Sequence, residues 1–388
     1  MPPFVVHDPV GLGRGFAGGV CIGLVSTSFV YLFGKFLGVS SIVGDLVGSL
    51  GYPFRSKMWQ LFFVGGMLGG GGILLAVSPK TAVFGQTLGL HWGAALVGGF
   101  LVGFGTRLGN GCTSGHGVSG LPRLSPRSLV NVMAFMGSGV LMAGLTRASF
   151  SRVSLYGQDW DLHSLFIVPL AASFAAALLL QNLLFALPSR SPIETCESDS
   201  QPTLGARPVT LLLVSVHGLA FALALGLSGM CDPSKVLRFL DFAGDGGWDP
   251  QLMLVMGGAV MVNGVTYRIL AQSMGSREPP LSLVPPGSTF SSIIPYGPKA
   301  GNNSKITTDL CLGGIIFGLG WGLCGVCPGP GIVDFVSGGA HFGVAVPSML
   351  AGMSSYHFFK TRRPASSGSD CTPSNVASPE KALLDSSK

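Results

Sequence analysis

Charged residues are scarce in this sequence. Asp, Glu, Lys and Arg make up only 10% of its 388 residues, and hydrophobic residues make up 47%, whereas a soluble domain carries roughly 25% charged residues. This small number of charged residues cannot cover a water-facing surface, and lipid must therefore cover much of the surface of the protein. The 60 glycines agree with this view, because small residues let helices pack closely inside a membrane. The composition therefore predicts an all-α polytopic membrane protein.

Several functions are excluded by motifs that the sequence lacks. The formal net charge is +6, but the basic residues are scattered, so we expect no nucleic-acid partner. There is no P-loop, no G-x-S-x-G elbow and no H-E-x-x-H motif, so we expect neither ATP hydrolysis nor a cofactor. The N-terminal residues lack the pattern of a cleavable signal peptide, so the first apolar stretch should stay in the membrane.

The apolar stretches are numerous enough for about nine membrane spans, since a spanning helix needs about 20 mostly apolar residues. The spans at 92–108 and 310–326 are short and run into Gly/Pro-rich sequence, which is typical of broken or re-entrant helices. The candidate spans are 14–32, 59–77, 92–108, 128–146, 162–187, 208–228, 251–271, 310–326 and 342–359. If all nine spans cross the membrane, most Lys and Arg lie on the side of the membrane that holds the C-terminus, which predicts a cytoplasmic C-terminus. We expect the protein in the cell membrane.

The sequence also contains an internal repeat. The run GGFLVGFGTRLGNGC at 98–112 aligns with GGIIFGLGWGLCGVC at 313–327, and both runs end in cysteine. QLFFVGG at 60–66 resembles QLMLVMGG at 251–258. Glycine bias would produce some of these matches by chance, but the matched cysteines are harder to dismiss.

The repeat divides the chain into two membrane halves, 12–150 and 208–360. A connecting span and a polar linker occupy 151–207, and the tail at 361–388 is predicted to be disordered because it is rich in serine. Five spans precede the second half, so we expect the two pseudo-repeats to be inverted relative to each other. Inverted repeats with interrupted helices are typical of transporters.

Three Gly-rich segments should interrupt helices at membrane depth. They lie at 109–117, 226–233 and 324–331, and the last two contain proline as well. Broken backbone inside a bilayer is tolerated only where it is buried in protein or lines a cavity. Amide groups freed by such a break favour an anion.

The cysteines at these breaks indicate which kind of solute they could bind. Thiols are soft and polarizable and suit a solute that contains sulfur. Cys112 and Cys327 occupy matched positions at two breaks and are the strongest candidates for a substrate path. Cys231 lies in the third break and could equally be an apolar filler, which is our interpretation of Cys21 and Cys311.

Other residues near the breaks are weaker candidates for the same path. Cys324 forms a C-x-x-C with Cys327, which leaves a redox pair open, but no second pair or nearby histidines suggest a metal site. Arg107 is a lone charge near the end of an apolar segment, where it could attract an anion or reach to the interface. His116 could contact the solute or cap the break. The small polar residues could bond the solute or satisfy helix ends: Asn110, Thr113 and Ser114.

At these residues the sequence resembles a known family. GNGCTSGHGVSGL and the following RSLVNVMAFMGSG resemble the first half of the YeeE/YedE-type sulfur transporters. GLSGMCDPSKVLRFLDFAG and FGLGWGLCGVCPGPGIV resemble the companion half, which is a separate chain in some bacteria. The resemblance implies uptake of thiosulfate or a related inorganic sulfur anion, relayed by cysteines through transient S–H···S contacts and without catalysis. Cys112 and Cys327 carry over as the relay, and a cytoplasmic sulfur-carrier protein becomes a candidate partner.

The sequence departs from the family pattern at one place. The family's early first-half cysteine is absent, and the matching stretch is Gly38-Val39-Ser40-Ser41, while Cys231 occupies the pseudo-symmetric position in the second half. Two other functions stay open. One is a membrane sulfur-relay enzyme that forms a persulfide on Cys327, and the other is a transporter of another small anion or a soft metal ion.

Overall fold

The computed structural model describes residues 9–48, 58–77, 92–150, 208–242, 248–284, 287–295 and 306–362. Throughout these ranges the regular structure is helical, and they contain no strand, which confirms the all-α prediction. The helices are α1 (Pro9–Phe33), α2 (Val39–Val47), α3 (Met58–Val77), α4 (Trp92–Leu108), α5 (Pro126–Phe150), α6 (Pro208–Ser228), α7 (Pro233–Leu240), α8 (Gln251–Ser273), α9 (Phe290–Ile293), α10 (Thr308–Cys324), α11 (Pro328–Asp334) and α12 (Ala340–Arg362). The π-helical segment Thr113–Gly120 and two short 3-10 turns, Leu121–Arg123 and Phe335–Ser337, complete the pattern.

Six stretches of the described chain are long and apolar enough to cross a membrane. They are α1, α3, α5, α6, α8 and the interrupted stretch Thr308–Ser337. α4 is apolar but has only 17 residues, as expected for a broken helix. The predicted span at 162–187, the linker and the tail lie outside the described residues, so the count of nine spans stays a prediction.

The three predicted interruptions are all present, and the backbone shows their cause. After α4, Asn110 has a φ of 56° and Gly111 a φ of 158°, so the chain leaves the helix before the π-helical segment begins. α10 ends at Cys324 and is followed by Gly325, whose φ of 69° is left-handed, and Pro328 then starts α11. α6 is separated from α7 in the same way by Gly229, with a φ of 75°.

The helices pack in two groups, each of which mixes the two halves of the chain. In the first group α1 packs along α6 and α8, and α6 packs along α3. In the second, α4 packs along α10 and α12, and α10 packs along α5. Helices at matching places in the repeat therefore form the central pair of each group, namely α1 with α6 and α4 with α10.

These matched helices run antiparallel. In the first pair, Gly18 lies against Ser228, and the Oγ of Ser28 lies 2.8 Å from Nε2 of His217. In the second pair, Gly98 lies against Cys324, and Gly105 lies against Phe317. Antiparallel packing of equivalent helices is what an inverted repeat requires, although the orientation of the halves in a membrane stays a prediction.

Candidate functional site

The two matched cysteines are brought to one buried place in the protein. Cys112 immediately precedes the π-helical segment and Cys327 immediately precedes α11, each with extended backbone. Their exposed fractions are only 1% and 2%. The hydroxyl of Thr113 donates to the sulfur of Cys327 at 3.8 Å, so a residue of the first-half break directly contacts the thiol of the second-half break.

A third chain segment completes this site. The sulfur of Cys112 lies 3.1 Å from Oγ of Ser114, and the same Oγ accepts a hydrogen bond from the backbone N–H of Val39 at 3.2 Å. A side chain added at Gly329 in α11 would reach the side chain of Val39, 3.8 Å away. The start of α2, the π-helical segment and the start of α11 therefore meet around the two thiols.

The other two candidate cysteines are buried in different surroundings. Cys324, the last residue of α10, is fully buried against Gly98 and precedes Cys327 by three residues. Cys231, in the turn between α6 and α7, is also fully buried, but its thiol lies beside the carboxyl group of Asp334. All four candidate cysteines are reduced thiols that are not part of a disulfide in this structure.

Arg107 is not the lone charge that the sequence suggested. Its guanidinium lies 2.9 Å from a carboxylate oxygen of Asp45 and 3.1 Å from Nε2 of His357. Folding brings α2, α4 and α12 together at this point, so the positive charge is balanced locally. This contact corrects the description of Arg107 as unpaired and weakens the case for an anion-attracting role.

The side chains of His116 and Asn110 have no hydrogen bond to the path thiols among the described residues. His116 is buried, its Nε2–H donates to the carbonyl oxygen of Gly109 at 3.1 Å, and its Nδ1 lies 3.1 Å from Oγ of Ser128. Since both ring nitrogens bond protein atoms, this geometry supports the interpretation of His116 as a cap of the break. Asn110 is exposed in the turn after α4, where its left-handed backbone conformation helps to end the helix.

Asp334 is a residue of interest that our sequence analysis missed. It is the last residue of α11, only 1% exposed, inside a stretch that is apolar enough to span a membrane. An ionisable side chain at such a place is costly and marks a functional site by default. The signal was therefore present in the sequence, where this single acidic residue follows the apolar run PGPGIV.

The fold and the site together define a polytopic membrane transport protein, with interrupted helices that meet in its interior. The profile of the sulphur transport family matches residues 13–142, and that of a family of unknown function, DUF6691, matches residues 209–367. A probable transporter of Xylella fastidiosa strain Temecula1 is 37% identical over 130 residues, which cover 88% of that protein and 32% of this chain. Another probable transporter of that strain is 35% identical over 136 residues, covering 80% of it and 35% of this chain.

These matches make the identity explicit. The chain belongs to the YeeE/YedE-type sulphur transport family, which confirms the resemblance drawn from its motifs. It is an integral membrane protein that transports a sulfur compound.

Proposed function

We propose that the protein carries thiosulfate, or a closely related inorganic sulfur anion, along a narrow path whose tightest point lies between Cys112 and Cys327. The observation that carries this proposal is the contact of Thr113 with Cys327 at 3.8 Å. It joins the breaks of the two halves at a single buried point. A helix break that is buried in protein at membrane depth is the kind of place where a transporter binds its solute.

The chemistry of the groups at this point supports a sulfur anion. The thiols of Cys112 and Cys327 are weak donors with polarizable sulfur, and the hydroxyls of Thr113 and Ser114 can donate as well. Hydrogen bonds to a charged acceptor are each worth about 1.5–3 kcal/mol. Two or three such bonds can replace part of the hydration of an anion, yet they remain weak enough to release it.

Passage by such contacts involves no covalent chemistry, so we propose a transporter without enzyme activity. Ser40 takes the place of the family's early cysteine, is only 1% exposed, and its hydroxyl has no hydrogen-bond partner in the described part of the chain. We propose that this free hydroxyl serves the path there, because Cys231 lies instead beside Asp334.

Uptake of labelled thiosulfate by a sulfur-starved host that lacks its own importer tests the proposal. We expect Cys112→Ala and Cys327→Ala each to reduce uptake by about tenfold or more, the loss that corresponds to about 1.4 kcal/mol in the transport barrier. Cys311→Ala is the matched control, because Cys311 lies on α10 away from the break. Normal uptake by both path variants, at equal amounts of folded protein, would refute the thiol path.

Competition experiments decide which anion is carried. An excess of unlabelled thiosulfate should suppress uptake, whereas sulfate, which has no terminal sulfur atom, should suppress it much less. Equal competition by sulfate would favour a general anion transporter. A persulfide on Cys327, detected by mass spectrometry after turnover, would instead favour the sulfur-relay enzyme.

The orientation and the partner are further parts of this proposal. The excess of Lys and Arg on one side of the predicted spans supports a cytoplasmic C-terminus in the cell membrane, and a cytoplasmic sulfur-carrier protein is the partner we propose to receive the anion. Reporter fusions at the C-terminus that are active only in the cytoplasm or only outside it test the orientation. Co-purification with a candidate carrier protein tests the partner.

A further inference from the structure

A buried acid and thiol pair lies at the far end of the helix that begins after Cys327. Asp334 ends α11, and its carboxyl group lies beside the thiol of Cys231 in the turn between α6 and α7. The exposed fractions of these two residues are 1% and 0%. One carboxyl oxygen, Oδ1 of Asp334, is buried and has no hydrogen-bond partner in the described part of the chain.

No cation balances this carboxyl group within the described residues. α11 packs against α2, α3, α6, α12 and the 3-10 turn Phe335–Ser337, and the titratable groups that act on Asp334 electrostatically are Cys231 and Asp232. Neither of them can supply a positive charge. The other titratable side chains described on the packed elements are Asp45, His217, His341, Tyr356, His357 and Lys360, and none of them is an ion-pair partner of Asp334.

Asp232 lies in the same region, and its negative charge is stabilised by hydrogen bonds and by a neighbouring cation. It caps α7 by accepting hydrogen bonds from the N–H and the hydroxyl of Ser234, at 2.9 and 2.6 Å. Lys235 attracts it electrostatically. The side chain of Asp334 accepts no capping hydrogen bond and has no neighbouring cation among the described residues, and the negative charge of Asp232 opposes a second one beside it.

An unpaired carboxylate is strongly disfavoured in an apolar interior, so such a group holds a proton instead. A proton on Asp334 also affects an anion at Cys327. α11 separates the two residues by 7 residues, or about 10 Å at a rise of 1.5 Å per residue. At that distance the loss of the negative charge strengthens anion binding by about tenfold, and by linkage the bound anion strengthens proton binding equally.

The first half of the chain lacks this pair. The alignment that matches Cys327 with Cys112 matches Asp334 with Ser119, and the alignment that matches Gln251 with Gln60 matches Cys231 with Ser40. Both serines are buried, with hydroxyls that have no partner in the described residues. The acid is therefore a feature of one half only, whereas the thiols of the path are present in both.

We propose that Asp334 is a proton-binding site and that its protonation is coupled to passage of the sulfur anion, so that the protein is a proton–anion symporter. This inference rests on the proposed function, because the coupling needs a transported anion. Cys231 positions the carboxyl group, and the proton leaves and returns with each transported anion.

Infrared difference spectroscopy of the purified full chain tests the proton site without any transported solute. We expect a carbonyl band of a protonated carboxyl group at neutral pH that disappears in Asp334→Asn. The band should remain in Asp309→Asn, because Asp309 is exposed at the start of α10. A spectrum with no such band in the wild-type protein would overturn the proposal, whether or not thiosulfate is transported.

Proteoliposomes with a pH-sensitive dye inside test the coupling. We expect thiosulfate added outside to acidify the lumen, and an inward proton gradient to raise wild-type accumulation of labelled thiosulfate by about tenfold, the ratio of proton concentrations for one pH unit. Asp334→Asn should still exchange thiosulfate down its own gradient but lose both effects, and Asp309→Asn should keep them. Thiosulfate flux without proton flux in the wild-type protein would overturn the coupling alone, whereas absence of any thiosulfate flux would overturn the proposed function.

Discussion

Replacing Gly105 by alanine tests whether the crossing of α4 and α10 sets the position of the two breaks. A Cβ at this position would overlap the backbone nitrogen of Phe317, and it would lie 2.8 Å from the Cα of Phe317 and 2.9 Å from the carbonyl oxygen of Gly313. These are backbone atoms, which cannot rotate away as a flexible side chain could. The two helices must therefore move apart where each approaches its break.

The size of the effect follows from these contacts. Carbon atoms pack at about 3.5–4.0 Å, so the helices must separate by roughly 1 Å. Overpacking of this kind costs about 1–3 kcal/mol, and the better helix propensity of alanine offsets about 1 kcal/mol. We therefore expect a net destabilisation of about 0–2 kcal/mol. Uptake should fall by at least about tenfold, since moving the groups of a functional site by 1 Å can reduce its rate by about a hundredfold.

Thermal unfolding in detergent and labelled-thiosulfate uptake are the two measurements. Gly137→Ala is the matched control, because Gly137 lies within α5 with no atom within 4 Å of an added Cβ. This control should unfold at the same temperature as the wild-type protein or slightly higher, with normal uptake. If Gly105→Ala behaves like Gly137→Ala in both measurements, the crossing does not hold the breaks in place.

Two further variants probe single contacts of the site. Thr113→Val removes the hydroxyl that donates to Cys327 and should slow initial uptake of labelled thiosulfate by about fivefold, the loss of a hydrogen bond worth about 1 kcal/mol. Thr113→Ser keeps the hydroxyl and should stay near the wild-type rate, and equal rates for both variants would contradict its role. Arg107→Gln breaks a partly exposed ion pair with Asp45, so chemical unfolding should show a loss of no more than about 1 kcal/mol. Uptake by Arg107→Gln should stay within about twofold of wild type, and a much larger loss would support the anion-attracting role of Arg107.

The sequence predicted the local features of the fold well. The stretch at 92–108 was expected to be a short helix, and α4 covers Trp92–Leu108. The interruption after α10 was expected from Gly325 and Pro328, and both residues take the expected places at its edges. These features depend on nearby residues, because a glycine with positive φ or a proline ends a helix wherever the chain is packed.

Features that depend on distant parts of the chain could not be predicted in this way. The partner of Arg107 is Asp45, which belongs to another helix and is brought near only by packing. Asp334 and Cys231 likewise belong to different segments of the second half. The convergence of Cys112 and Cys327 could be inferred only because the repeat assigned them equivalent positions.

The repeat also separates two properties that a transporter must combine. The proposed path through Cys112 and Cys327 binds the solute alone, and a path without a coupled ion can only let that solute move down its own gradient. Accumulation needs a second ion whose gradient supplies the free energy. Under the proposed coupling, Asp334 supplies such an ion site at a position where the first half has Ser119, and it does so without altering the thiols of Cys112 and Cys327.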